Sequence, residues 1–446
     1  MAQPESIQSP SRTTMTLDPQ GERTSTTCKY WILVAIALLA LPQVYTIRVF
    51  GSYIPLAVLP ILLSAPLIKL LRKDRRIIFL LTAYYIVTLC SVAWSPNHGA
   101  WANYCLFFLA FPLPFLLGRG AREATLESCL KLSALIAAVH SLLIIGFRFF
   151  PELKATFLLS GSLRLFKNPD RLSNYELGDI SLNIFDPSKS GGLFDNANTA
   201  ATFTLVAIGV LIATKNKFSR SSFLAMILVL SAGVLATGSK SGIFYLATLA
   251  ILSYSVSAVT EKSKSRAICL LLVILPLFIL LPLLSSTLSS TFFSSDLGQD
   301  TIKTGGYRLQ LWTIAADAIK SHPVLGVGFG GWSEIMSSRA TFFGVDPNWP
   351  PHNSLLQAWI ETGVVGVVLL VCFWLALSWR AILATTKQTP GGGASLFSLV
   401  AAAGMSMGDP TPLLGAPQFA PMLGLLLALT FNRLDSGDAK VRLSTQ

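Results

Sequence analysis

The chain has 446 residues, of which 52% are hydrophobic and only 13% charged, and its net charge is +12. A soluble domain carries about 25% charged residues, so the halved charge and the long apolar runs exclude one large soluble core and indicate a membrane protein. The positive balance fits the Lys/Arg-rich cytoplasmic loops of such proteins, and no nucleic-acid partner is expected.

Residues 1–29 are rich in Ser, Thr, Gln and Pro and lack the basic start and small-residue cleavage site of a signal peptide. They are expected to form a disordered cytoplasmic tail. Residues 30–431 then form a polytopic membrane domain, and 432–446 a cytoplasmic C-terminal tail. A span takes about 20 apolar residues. Candidates lie near 31–48, 53–71, 77–94, 101–118, 129–149, 197–214, 222–237, 242–259, 267–285, 360–379, 394–408 and 415–431. The predicted fold class is therefore an all-α integral membrane protein with about twelve transmembrane helices.

Lys and Arg set the orientation. Alternate short loops carry Arg72, Lys73, Arg75 and Arg76, then Arg119 and Arg122, then Lys215, Lys217 and Arg220, then Lys262, Lys264 and Arg266, then Arg380 and Lys387. The short loops on the other side carry Lys240 alone. Both termini are thus expected in the cytoplasm. Two long loops, about 150–196 and 286–358, fall on the outer side, and loops of that length are usually functional. Within the second, Leu309, Trp312, Ala316 and Ile319 recur at helical spacing and predict an amphipathic helix packed on the bundle or the membrane face.

Five cysteines lie in apolar runs and Cys28 in the N-terminal tail, so they are expected as packing residues and not as a disulfide framework. The spans hold few ionisable groups, chiefly Lys131, His140 and Arg148, which speaks against a proton or ion pump. No metal-ligand spacing stands out.

Three residues could carry chemistry. His352, in Trp349-Pro350-Pro351-His352-Asn353-Ser354, is placed to exchange protons near neutral pH or, alternatively, to cap or pack a helix start. Arg308 follows Gly305-Gly306 and suits a bidentate phosphate contact, or is an ordinary loop arginine. Lys240 sits in Thr237-Gly238-Ser239-Lys240-Ser241-Gly242, where a positive charge works against orientation; it is either functional or snorkels to the interface. Asn198 is expected to cap the span it opens. Gly326-Val327-Gly328-Phe329-Gly330-Gly331 is expected to make tight turns and not to cradle a nucleotide.

These pieces have a familiar order. Gly192-Leu193-Phe194 with Asn196 and Asn198, the Thr237–Gly242 stretch, Gly306-Tyr307-Arg308-Leu309 with Trp312, Pro323–Gly328, His352–Gln357 and Glu361-Thr362-Gly363 together resemble the signature of the O-antigen ligase and polymerase superfamily, over about residues 190–366. The resemblance implies a GT-C-like, metal-independent membrane glycosyltransferase without a cofactor. It implies a bacterial inner-membrane protein whose active site faces the periplasm in the loop 286–358. The donor would be a glycan on undecaprenyl diphosphate. The acceptor would be the lipid A core for a ligase, or another lipid-linked repeat unit for an O-antigen or exopolysaccharide polymerase. His352 maps to the proposed base and Arg308 to the diphosphate contact. Lys240 stands where the family usually has a second arginine. Tyr307, Asn353 and Asn198 are the expected supporting residues. A transporter or flippase of lipid-linked sugars is the alternative, and a structural role in an envelope assembly a third.

Overall fold

The computed structural model describes residues 46–49, 52–55, 58–63, 74–158, 186, 188–194, 196–258, 296–343, 349–408, 416 and 418–444. The expected N-terminal tail, most of the first two spans and the ninth span lie outside these residues. At 46–55 a short antiparallel hairpin, β1 (Thr46–Val49) and β2 (Ser52–Pro55), replaces expected helix; Thr46 pairs with Pro55 and Val49 with Ser52. The β-branched Thr46, Ile47 and Val49 favour the strand.

The other described elements are helical. They are α1 (Val58–Leu63), α2 (Arg75–Cys90), α3 (His98–Phe107), α4 (Pro112–Arg119), α5 (Glu123–Phe149), α6 (Pro151–Leu158), α7 (Ala197–Ala213), α8 (Arg220–Ala236), α9 (Lys240–Ala258), α10 (Asp296–Ser321), α11 (Trp332–Phe343), α12 (Ser354–Thr386), α13 (Gly392–Ser406) and α14 (Ala420–Ser444). Helix α14 runs on to Ser444, so no helix end marks the boundary expected at 432.

Among the described residues, four helical stretches are long and apolar enough to cross a membrane: Arg75–Ala93, His98–Arg119, Glu123–Phe149 and Ser354–Thr386. Helices α7, α8 and α13 are apolar but have only 15 to 17 residues. At 1.5 Å per residue they reach roughly 23–26 Å, short of the hydrocarbon thickness of about 30 Å. Burial explains why α7 and α13 are apolar all the same. Helix α7 is buried on nearly every side and packs between α5, α8 and α13. Ala394, Ser395, Ser398, Ala401 and Ala402 give α13 a small-residue face that allows close approach to α7. The outer helices α2, α5, α8 and α12 instead expose Phe79, Ile86, Val139, Leu228, Val368 and Leu375, a surface suited to lipid.

One end of the bundle is tied by a closed ion-pair ring. Arg119, at the end of α4, donates to Asp74 (2.7 Å) and Asp435 (2.5 Å), and Arg380 of α12 donates to the same two carboxylates (2.5 and 2.9 Å). Asp74 and Arg119 are buried, and Arg119 also reaches Asn432. These are residues expected in the cytoplasmic loops. The ring joins four helices with balanced charge.

Removing one cation leaves buried carboxylates undercompensated, at about 3 kcal/mol. Arg119→Met is therefore expected to lower the thermal unfolding midpoint in detergent by several degrees, and an unchanged midpoint would contradict the structural role of the ring.

Candidate active site

The opposite end of the bundle gathers the residues that could carry chemistry. Helix α12 is broken at Gly363, whose φ of 65° and ψ of −170° are non-helical. A break frees backbone groups that need partners. The loop after α10 supplies them: the Val327 amide donates to the Ile360 carbonyl (2.8 Å), the Gly328 amide to Glu361 (3.1 Å), and Val364 donates back to Pro323 (2.9 Å). Gly326, Gly328 and Gly330 all have positive φ, which bears out the tight-turn reading. A Cβ at Gly363 would lie 2.0 Å from the Val324 carbonyl oxygen, so only glycine allows the two chains to meet there.

This docking fixes α10 and α11 against α12. The predicted amphipathic helix is present, and of the expected stripe Trp312 and Ile319 pack against its buried face while Leu309 and Ala316 do not. Leu311, Ile314, Ala315 and Ala318 are buried against Trp332, Met336 and Ile360, whereas Leu309 is 66% exposed and Ala316 is also exposed. Both sets recur at three- and four-residue steps, and contact with α11 and α12 selects between them.

His352 lies in the segment held between these helices. The Trp312 indole donates to the Pro351 carbonyl (3.0 Å), and the Trp332 indole donates to the Trp349 carbonyl (2.9 Å). The Tyr307 ring packs edge-on against Trp349 at 5.2 Å. So anchored on both sides, His352 adopts the left-handed backbone conformation, with φ 51°, a strain that surrounding structure must sustain. It does not cap the helix. Asn353 does, accepting from the Leu355 and Leu356 amides at 3.0 Å. Burial, and then the charge of Arg308, lower the His352 pKa to about 4, so the imidazole is neutral at pH 7 and can accept a proton. Arg308 itself donates from Nη2 to the Gly408 carbonyl (3.0 Å), beyond the end of α13. Arg308, Tyr307, His352 and Asn353 therefore come together.

Asn198 and Lys240 belong to a second group. Asn196, and not Asn198, caps α7, because its side chain accepts from the Asn198 amide at 2.7 Å. This corrects the expected capping role: an Asn one helical position further in points across instead, and Asn198 Oδ1 accepts from Ser239 Oγ at 2.7 Å. Lys240 follows directly as the exposed first residue of α9. Nearby, Ser190 donates to Thr237, and buried Lys154 donates to the Asp186 and Lys189 carbonyls. Burial lowers the Lys154 pKa, against the opposing pull of Asp186. His140 is structural: its Nε2 accepts from the Leu193 amide (3.0 Å), and its ring packs against Phe194 and Phe203.

The stretch 223–371 contains Lys240, Arg308, His352 and the glycine loop, and it matches the family described as O-Antigen ligase. The matched stretch is about a third of the chain, and there the chain is similar to the O-antigen ligase family. Over 174 residues it is 27% identical to a Rickettsia felis (strain ATCC VR-1525 / URRWXCal2) protein named "Putative polysaccharide ligase", covering 34% of this chain and 42% of that protein. The match thus spans less than half of that relative. Asn198 lies outside the matched stretch and Glu361 inside it. Sequence reasoning recorded Glu361 only as part of a motif, and it missed the clamping of the His352 segment by two indoles; the tryptophans at 312, 332 and 349 were the available signal.

If those indoles hold the base in place, Trp312→Phe keeps the packing but removes one donor, worth about 1 kcal/mol. We expect the unfolding midpoint to fall slightly and turnover to fall more, by about tenfold. Full turnover in Trp312→Phe would show that the Pro351 bond is dispensable.

Proposed function

We propose that the protein transfers a glycan from an undecaprenyl-diphosphate-linked donor to a sugar hydroxyl, on the periplasmic side of a bacterial inner membrane. The observation that carries this reading is the neutral His352 held in a strained, doubly anchored segment beside Arg308, inside the stretch similar to the O-antigen ligase family. The acceptor is the lipid A core for a ligase, or a second lipid-linked repeat unit for an O-antigen or exopolysaccharide polymerase.

The chemistry needs a base and a cation. His352 takes the proton of the acceptor hydroxyl as that oxygen attacks the anomeric carbon. The bond from that carbon to the phosphate oxygen breaks, and undecaprenyl diphosphate leaves with the electron pair. Arg308, with its planar fork, meets the charge developing on the diphosphate. Lys240 adds a point charge toward the same anion without the fork. The residues carry this chemistry without a metal or cofactor. Tyr307, Asn353 and Asn198 support the loops that present these groups, and the apolar outer faces of the bundle lie against membrane lipids and the polyprenyl chain.

The test uses the purified protein in nanodiscs with a polyprenyl-diphosphate-linked repeat unit, with and without a lipid A core acceptor. Long chains made without lipid A identify a polymerase. Product formed only with lipid A identifies a ligase. No product in either arm overturns the glycan-transfer reading and brings the flippase alternative forward.

The lowered pKa of His352 fixes the sign of the pH dependence. A base with a pKa of about 4 is deprotonated throughout pH 5–8, so kcat/KM is expected to stay flat from pH 8 to 6 and fall only at lower pH. Arg308→Gln removes one of the two causes of the lowering, so residual activity is expected to lose its acid limb at a higher pH, still short of 6.5 because burial persists. A midpoint at 6.5 in the unaltered protein would contradict the assignment.

A further inference from the structure

Glu361 is 1% exposed. It lies in α12, just before the break at Gly363, and its position is unusual in three ways. Its Oε1 accepts from the Gly330 amide at 3.2 Å, so the carboxyl holds the loop side chain to backbone, while its own carbonyl accepts from Gly328. Gly330 is two residues ahead of Trp332, the first residue of α11, whose indole holds the Trp349 carbonyl. Glu361 also borders a small cavity of about 20 Å³, lined in addition by Tyr84, Ser354, Gln357 and Trp374.

Its lining is mostly apolar, with Phe108, Phe329 and Leu370 among it, but several polar atoms face into this region. Ser354 Oγ, Gln357 Oε1 and Trp374 Nε1 are buried and have no hydrogen-bond partner among the described residues. Its size suits about one water molecule, which could accept from an indole and donate to the oxygens. Ser354 and Gln357 stand on the first turn of α12, directly after His352-Asn353. A buried carboxyl is costly unless hydrogen-bonded, so its retention in an apolar helix calls for a task.

We propose that Glu361 is a positioning residue for His352. It fixes the glycine loop through the Gly330 amide, the loop fixes Trp332, and Trp332 fixes the backbone that carries the imidazole. The carboxyl does not touch the reacting atoms. The proposal rests on the reading of His352 as the base, so its test includes a measurement independent of turnover.

The first variant is Glu361→Gln, which keeps an oxygen acceptor for Gly330. The second is Glu361→Leu, which keeps the volume and removes the acceptor. The third is Trp332→Phe, alone and combined with Glu361→Leu. In the transfer assay Glu361→Leu is expected to lower kcat by about ten- to a hundredfold with little change in donor KM, and Glu361→Gln to restore most of it. The double variant is expected to lose little more than the worse single variant, because both cut one chain of contacts. In parallel, the modification rate of each histidine by diethylpyrocarbonate is read by peptide mass spectrometry. His352 is expected to change its rate in Glu361→Leu and in Trp332→Phe, with His140, packed against Phe194 and Phe203 away from the loop, as the internal reference.

An unchanged His352 rate in a folded Glu361→Leu variant overturns the proposal, and so does additivity in the double variant. Loss of activity in Glu361→Gln equal to that in Glu361→Leu also overturns it, because the acceptor is then not what matters. An altered His352 rate in a protein that makes no product in either acceptor arm keeps the positioning role and refutes the transferase reading instead.

Discussion

The backbone break at Gly363 is the constraint on which the site depends. A helix interrupted within or beside a bilayer must find partners for the freed amides and carbonyls, since each unsatisfied group there costs several kcal/mol. Here the partners come from Pro323, Val327 and Gly328. The loop is thereby part of the α12 hydrogen-bond ladder and cannot drift from it. Everything on that loop inherits the same reference frame: α10 with Arg308 and Trp312 on one side, α11 with Trp332 on the other. The His352 segment closes the gap between them, and its left-handed backbone is sustained because three elements hold it at once.

The two ends of the bundle handle charge differently. At one end, Asp74, Arg119, Arg380 and Asp435 form a ring of matched charges that ties helix ends together. At the other, Arg308 places its positive charge beside a neutral imidazole. From Gly363 to Arg380 the intervening helix measures about 26 Å at 1.5 Å per residue. Under the proposed function, a positive charge beside the imidazole is what transfer of an anionic leaving group requires.

Much of this was legible in the sequence because it rests on periodicity and composition. The apolar runs at 77–94, 129–149, 197–214 and 360–379 became helices with ends displaced by a few residues, since capping and frayed turns are set by neighbours. The short, Gly-rich run at 394–408 became a helix too, and its small residues turned out to serve packing against α7. What was illegible depended on contacts distant in sequence. Which stripe of α10 is buried was decided by Trp332 and Ile360. Asn196 and Asn198 are both competent caps, and only the position of Ser239 tells them apart. The strands at 46–49 and 52–55 took the end of one apolar run and the start of the next, where composition alone suggested helix. Within the site, residue chemistry singled out His352 and Arg308, but their proximity, the role of the Gly408 carbonyl and the buried Glu361 emerged only from the packing.

The most direct test of the central assignment separates binding from chemistry. Binding of a polyprenyl-diphosphate-linked glycan to the nanodisc-embedded protein should be measured for His352→Asn, in which asparagine tolerates the left-handed backbone, and for Arg308→Gln. The account predicts that His352→Asn binds the donor as tightly as the unaltered protein yet turns nothing over, while Arg308→Gln loses at least about tenfold in affinity. Equal donor affinity in Arg308→Gln, or persistent turnover in His352→Asn, would contradict it.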